Sequence, residues 1–177
     1  MNAIASQTRS IPRRQERIDR DRWVSIRPIE RADGPGLSDF YARLSTESRR
    51  RRFLGSGSPR AAALTRAFTE PEGDGLVGIL EEHGPNDGAM VAHASVQSDG
   101  QGGAEVAFAV ADEFQGRGIG GTLMQMALEQ AQTRGLRRVT ATLFADNAPM
   151  RGLLRGAGRE IVSDEIHAGV EEIALAV

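Results

Sequence analysis

Apolar positions along the chain change period several times, and each change marks an element. Residues 23–29, Trp-Val-Ser-Ile-Arg-Pro-Ile, alternate and predict a first strand. Leu37, Phe40, Tyr41 and Leu44 recur at helical spacing within residues 37–54. Ser45-Thr46-Glu47-Ser48 reads there as a break and the cap of a new helix, and residues 61–68 predict another short helix. Residues 75–80 and 90–96 read as strands separated by the turn Gly84-Pro85-Asn86-Asp87-Gly88. A second Gly-rich turn over 99–103 leads into a strand at 104–110. Residues 119–134 predict the strongest helix, with the stripe Ile119, Leu123, Met126, Ala127 and Ala131 and Gly135 as its stop. A strand at 139–144, a short helix at 148–155 capped by Asp146 or Asn147, and strands at 161–162 and 170–177 complete the order.

This order predicts a single α+β domain over 22–177, a mixed central sheet flanked by helices in which only the unit around 119–134 must be a βαβ crossover. Residues 1–21 read as a flexible tail, because Arg9, Arg13, Arg14, Arg17 and Arg20 alternate with polar residues and leave little to bury. Composition narrows the chemistry. The chain has no cysteine, which excludes disulfides, thiolate catalysis and cysteine–metal sites and makes the cytoplasm the expected compartment. It has no apolar run of membrane-spanning length and no apolar leader. The net charge of -2 gives no global attraction to nucleic acid. The arginine tail is diluted by Glu16, Asp19 and Asp21 and has no interleaved aromatics, so a nucleic-acid role is the minority reading. All 22 basic residues are arginine, so no lysine of the chain itself can be acylated.

The most informative stretch is Gln115-Gly116-Arg117-Gly118-Ile119-Gly120-Gly121, between a strand and a helix. Four glycines at a helix start are unfavourable for the helix but let backbone amides approach and converge on an anion, with Arg117 adding charge. The alternative is a Gly-rich turn with no ligand. A nucleoside-triphosphate loop needs a lysine the chain does not have. The glycines do fit G-x-G-x-x-G. However, five residues separate them from the strand at Val110, and only 56 follow Gly121, too few for the rest of a doubly wound sheet. The third loop type, Q/R-x-x-G-x-G/A, binds acyl-CoA.

On these residues, together with Phe108-Ala109-Val110 before the loop and Asn147-Ala148-Pro149-Met150-Arg151 after it, the chain resembles the GNAT acyltransferase family. The resemblance covers residues 23–177 in layout and is specific from 104 to 158. It implies that the backbone of Phe108, Ala109 and Val110 pairs with a pantetheine arm. It also implies that Gln115, Gly116, Arg117, Gly118, Ile119, Gly120 and Gly121 hold the pyrophosphate, and that Asn147 contacts the cofactor near its thiol end. Asn147 reads equally as a plain helix cap. A looser resemblance to bacterial protein-lysine acetyltransferases rests on residues 104–110 with Ser45-Thr46-Glu47-Ser48-Arg49 and Arg52-Phe53. It implies acetyl-CoA as co-substrate, no metal, and an amine acceptor, either a protein lysine or a small molecule.

In that branch a glutamate at this strand position is the base, so the resemblance implies Glu105 as general base; the residues alone favour a solvent-facing strand carboxylate. Glu105 shares a strand face with Ala107 and Ala109, whose small side chains leave room for a substrate. The chain departs from the family pattern at two places: Leu154 stands where many members have a tyrosine acid, and Thr142 where some have a glutamate. These departures keep open a second class of reading, a catalytically weak acyl-CoA-binding module. His83, His93 and His167 have no metal spacing. Arg49–Arg52 read as a solvated helix face, Asp112 and Glu113 as loop residues. Glu171-Glu172 is a minor candidate for facing an amine.

Overall fold

The computed structural model describes residues 11–55 and 75–177, so the helix expected at 61–68 lies outside the described residues. Eight strands form one sheet in the order β1-β2-β3-β4-β5-β6-β8-β7. They are β1 (Arg14–Arg17), β2 (Arg22–Pro28), β3 (Gly75–Glu82), β4 (Met90–Ser98), β5 (Gly103–Val110), β6 (Arg138–Phe144), β7 (Ile161–His167) and β8 (Val170–Ala176). Every neighbouring pair is antiparallel except β5 and β6, which the crossover through α3 (Ile119–Thr133) makes parallel. Helices α1 (Gly34–Arg43) and α2 (Thr46–Arg52) precede β3, and α4 (Ala148–Arg155) follows β6.

Strand alternation divides the core between the two faces. Val24, Leu76, Val96, Val106, Val139 and Leu143 turn to the α3 face and bury Ile119, Leu123, Met126, Ala127 and Ala131, the stripe read from the sequence. Val77, Met90 and Ala109 turn to the other face and meet Leu37, Phe40, Tyr41 and Leu44 of α1 and its C-cap. Ser45 caps α2 by accepting a hydrogen bond from the Ser48 amide, as the break in the pattern predicts.

The tail boundary needs correction. Within residues 11–21, Ile11 is buried and Arg14–Arg17 pair with β2. Arg14 bonds Glu129 of α3 at 2.6 Å, and Arg13 pairs with Glu81. An edge strand needs only backbone pairing and two or three anchors, so a strand with almost no apolar side chains escapes a hydropathy reading. The same applies to β7, seven residues long where two were expected; all its residues but Ser163 are exposed.

Candidate active site

The parallel join creates the site. β5 and β6 are in register only at Gly103↔Arg138, Ala104↔Val139 and Glu105↔Thr140; beyond Glu105 the strands part. The β6-facing backbone of residues 106–110 is therefore not met by β6, and a cleft of about 460 Å³ opens between Val106–Val110 on one side and Thr142 and Leu143 on the other. An extended ligand with amides of its own can occupy such a strand edge by the same hydrogen bonding that a strand would use.

The glycine loop closes one end of this cleft. After a 3₁₀ turn at Asp112–Phe114, Gly116 has φ 71° and Gly118, the N-cap of α3, has φ 87°. Both are left-handed conformations that residues with a Cβ adopt only under strain. Nothing lies within 4 Å of a Cβ built on Gly116 or Gly121, so the loop presents open backbone. The amides of the first turn of α3 have no partners within the helix and carry the positive end of its dipole. Gln115 donates to the Val110 carbonyl at 3.0 Å and to Ser48 Oγ at 3.2 Å, which ties the loop to β5 and α2.

Of the residues singled out from the sequence, Phe108, Ala109, Val110, Gln115, Gly116, Gly118, Ile119, Gly120, Gly121 and Asn147 line this one cleft. Ile119 and Ala109 have their side chains in the core, so only their backbone is available. Arg117 is exposed and does not line the cleft. Glu105 is also exposed and outside the lining, at the last paired position of β5, on the same face as Ala107, which does line it. Asn147 is the N-cap of α4: its carbonyl oxygen accepts from the Met150 amide at 3.3 Å. Its NH2 donates no hydrogen bond to a described residue, so capping and ligand contact are compatible.

The sequence reading did not place α2 at the cleft. Glu47, Ser48, Arg51 and Arg52 line it, so the arginine run is not simply a solvated face. Arg50 and Arg51 both bond Glu47 and hold its carboxyl down at about 2, which makes it a poor proton acceptor. Arg50 also lies over the Phe144 ring, 4.3 Å from its centroid, and Arg52 donates to Ser95 Oγ at 3.0 Å. Asp112, read as a loop residue, accepts from the Ser45 amide and from both Ser45 and Ser48 hydroxyls. Burial raises its carboxyl, but these bonds outweigh that and hold it below its ordinary value.

One further expectation changes. Glu171 is fully buried and cannot face a substrate; Arg151 binds it through Nε at 2.8 Å and Nη2 at 2.6 Å. His93, in β4, is fully buried, with Nδ1 2.8 Å from the Tyr41 hydroxyl. Burial, and then the nearby Arg52 charge, hold it well below its ordinary value. Leu154, at the position where a tyrosine acid was considered, is fully buried in the core. Among the described residues no three His, Asp or Glu side chains are grouped to hold a metal ion, and no helix is long and apolar enough to cross a membrane.

Comparison with known proteins agrees with this geometry. The chain is 30% identical over 153 residues to the acetyltransferase Pat of Mycolicibacterium smegmatis, covering 85% of this chain but only 45% of that protein. It is 29% identical to an acetyltransferase of Pseudomonas aeruginosa, covering 81% of this chain and 78% of that one. Among solved structures, the GNAT domain of S. lividans PAT superposes with a TM-score of 0.72 at 27% identity, over 88% of this chain and 91% of that one. A Salmonella typhimurium protein solved with its cofactor acetyl-CoA shares the fold at a TM-score of 0.64 and 19% identity, over 87% and 92% of the two chains. The profile of the acetyltransferase (GNAT) family, whose members use acetyl-CoA, matches residues 39–158, which span α2, the splayed strands, the glycine loop and α4, and the chain belongs to that family.

Proposed function

We propose that the chain transfers an acetyl group from acetyl-CoA to a primary amine, the lysine side chain of a protein. The observation that carries this reading is the parting of β5 from β6 just before a strand end that runs into the glycine loop. One continuous cleft thus offers a strand edge for an amide-bearing arm and a cradle of amides for a pyrophosphate. The open space at Gly116 and Gly121, which a Cβ would intrude upon, fits that ligand.

In this reading the amides of 116–121 hold the pyrophosphate, the edge of 106–110 orients the pantetheine arm, and Asn147 meets its far end. Bound acetyl-CoA supplies a thioester activated toward an amine nucleophile. The acceptor arrives as an ammonium with a pKa of about 10.4 and must lose a proton before it can attack. Glu105, on the Ala107 face of β5, takes that proton directly or through a water. With Leu154 buried, no tyrosine stands ready to protonate the sulfur. A thiol with a pKa of about 8.5 departs as thiolate without one.

A protein lysine is favoured as acceptor because the two segments that resemble protein-lysine acetyltransferases, residues 45–53 and 104–110, both contribute to the lining of the cleft. The test has two arms. Acetyl-CoA should raise the melting temperature, as any ligand specific to the native state does, and NAD should not. Turnover should then be measured on lysine-bearing peptides and on small amines. A shift with NAD and none with acetyl-CoA would refute the cofactor assignment. Turnover on small amines alone would refute the protein acceptor, and binding without any turnover would point to an acyl-CoA-binding module.

A further inference from the structure

We propose that the ion pair between half-buried Arg151 and fully buried Glu171 is a positioning device of the acetyl-CoA cleft: it holds α4, and with it Asn147, at the wall. The inference rests on the cofactor assignment above but concerns residues outside the cleft lining.

Helix α4 contributes Pro149, Met150 and Leu153 to the cleft, and its N-cap contributes Asn147. It is a weak helix by itself. It has only eight residues, with Pro149 in the first turn and Gly152 in its middle, and isolated helices of this length do not persist. Its position must come from tertiary contacts. Leu154 supplies one, fully buried in the core. Arg151 supplies another, beside Arg155, which bonds Asp164 of β7, and Met150 and Leu153, which pack against the core. The Nε and Nη2 of Arg151 both reach the Glu171 carboxylate, and its Nη2 also donates to the Ala145 carbonyl. One guanidinium therefore joins the helix, the turn leading into Asn147, and β8.

Glu171 is an unusual residue to find here. It has no exposed surface and lies in β8 opposite Leu143 of β6, a cleft residue. A buried carboxylate is unfavourable unless paired, and its charge partners are Arg151 and, at 3.6 Å, Arg155, which also bonds Asp164. An apolar residue would fill this place without a desolvation penalty. What the carboxylate adds is direction: a planar fork fixes the orientation of α4 in a way that apolar packing of two short side chains does not.

The experiment compares Arg151→Met, Glu171→Met, the double variant and Arg151→Lys. It uses melting temperature, calorimetric affinity for acetyl-CoA, and the split between kcat and KM. Each single Met variant should melt lower, because Arg151→Met leaves the buried Glu171 with Arg155 alone at 3.6 Å and Glu171→Met takes the carboxylate from the half-buried Arg151, and should bind acetyl-CoA at least tenfold more weakly. The double variant removes both charges and should recover most of the melting temperature while the affinity stays tenfold or more down. Arg151→Lys keeps the charge without the fork and should fall between wild type and Met in affinity. The acetyl-CoA KM should rise in each case more than kcat falls. Affinity that returns together with stability in the double variant would overturn the positioning role and leave a purely structural pair. So would wild-type affinity in variants that are destabilised. If a single Met variant does not fold, the double variant and Arg151→Lys decide between the same outcomes. Wild-type protein that binds no acetyl-CoA would overturn the cofactor assignment and this inference together; normal wild-type binding with unaffected variants would overturn only the inference.

Discussion

Gly118→Val tests the glycine loop at its most constrained point. Gly118 is the N-cap of α3 with φ 87° and ψ -21°, and its carbonyl accepts from the Thr122 amide at 3.2 Å. A Cβ there would lie 3.7 Å from Glu16 Oε1, an ordinary contact, so the penalty comes from backbone conformation and not from crowding. A β-branched residue held in the left-handed region costs about 1–2 kcal/mol. For a domain of this size that lowers the melting temperature by about 2–8 °C, at about 2–4 °C per kcal/mol. If the chain relieves the strain by rotating the loop, the amides no longer converge. Each lost hydrogen bond to a charged oxygen weakens binding by about 1.5–3 kcal/mol, or about 10- to 150-fold. Gly118→Ala shares the strain without the branch and should show a smaller effect of the same kind. The assay is titration calorimetry with acetyl-CoA beside a thermal melt. Unchanged affinity in a folded Gly118→Val protein would show that the phosphate is held elsewhere and refute the loop assignment.

Glu105→Gln should slow the chemical step by about 100- to 10,000-fold, with acetyl-CoA affinity nearly unchanged and a defect that shrinks as pH approaches the amine pKa of about 10.4; a wild-type rate at neutral pH would remove Glu105 from the mechanism. Ala107→Leu should raise the acceptor KM much more than it weakens acetyl-CoA, because the added bulk stands on the Glu105 face; equal effects on both ligands would show that they do not approach from different faces. His93 is buried with a lowered pKa, so the unfolded chain binds its proton more readily. Its contribution to stability is complete above about 6.5 and falls as pH drops, by up to about 1.4 kcal/mol per pH unit. Between pH 6.5 and 5 the wild-type melting temperature should decline, and His93→Gln should flatten that decline; parallel profiles would assign it to other groups.

The parts legible in the sequence are those set by local rules. The stripe on α3 follows from a period of 3.6, and four glycines at the start of a helix have few structural reasons to be there. The boundary between α1 and α2 was readable because Ser45 is a cap. The polar edge strands β1 and β7 were not, since their pairing partners, β2 and β8, specify them more than their own side chains do. The arginines of α2 looked solvated because no local pattern shows that Phe144 and Ser95 lie beneath them. Arg151 and Glu171 are 20 positions apart, and nothing short of the β6–β8 register brings them together. The residues of β5 and β6 read as ordinary strands over their whole length, so only the family resemblance, which gave the backbone of Phe108–Val110 to a pantetheine arm, implied a free edge where they part.

That parting also bears on how two ligands could meet. Glu105 and Ala107 point to the face carrying α1 and α2; Val106, Phe108 and Val110 point to the face carrying α3. The glycine loop leads into α3, whose first residue, Ile119, is buried in the core on that second face. The base and the phosphate cradle proposed above, one on each face, cannot serve one reaction across an intact sheet. They can do so only where the sheet is open, and it opens one step beyond Glu105. The carboxylate therefore sits at the apex of the opening rather than within it. It is exposed and absent from the cleft lining, and under the mechanism proposed above it would meet the incoming amine rather than the acetyl donor. The antiparallel neighbours elsewhere in the sheet pair over most of their length, whereas β5 and β6, joined through α3, pair at three positions and then part.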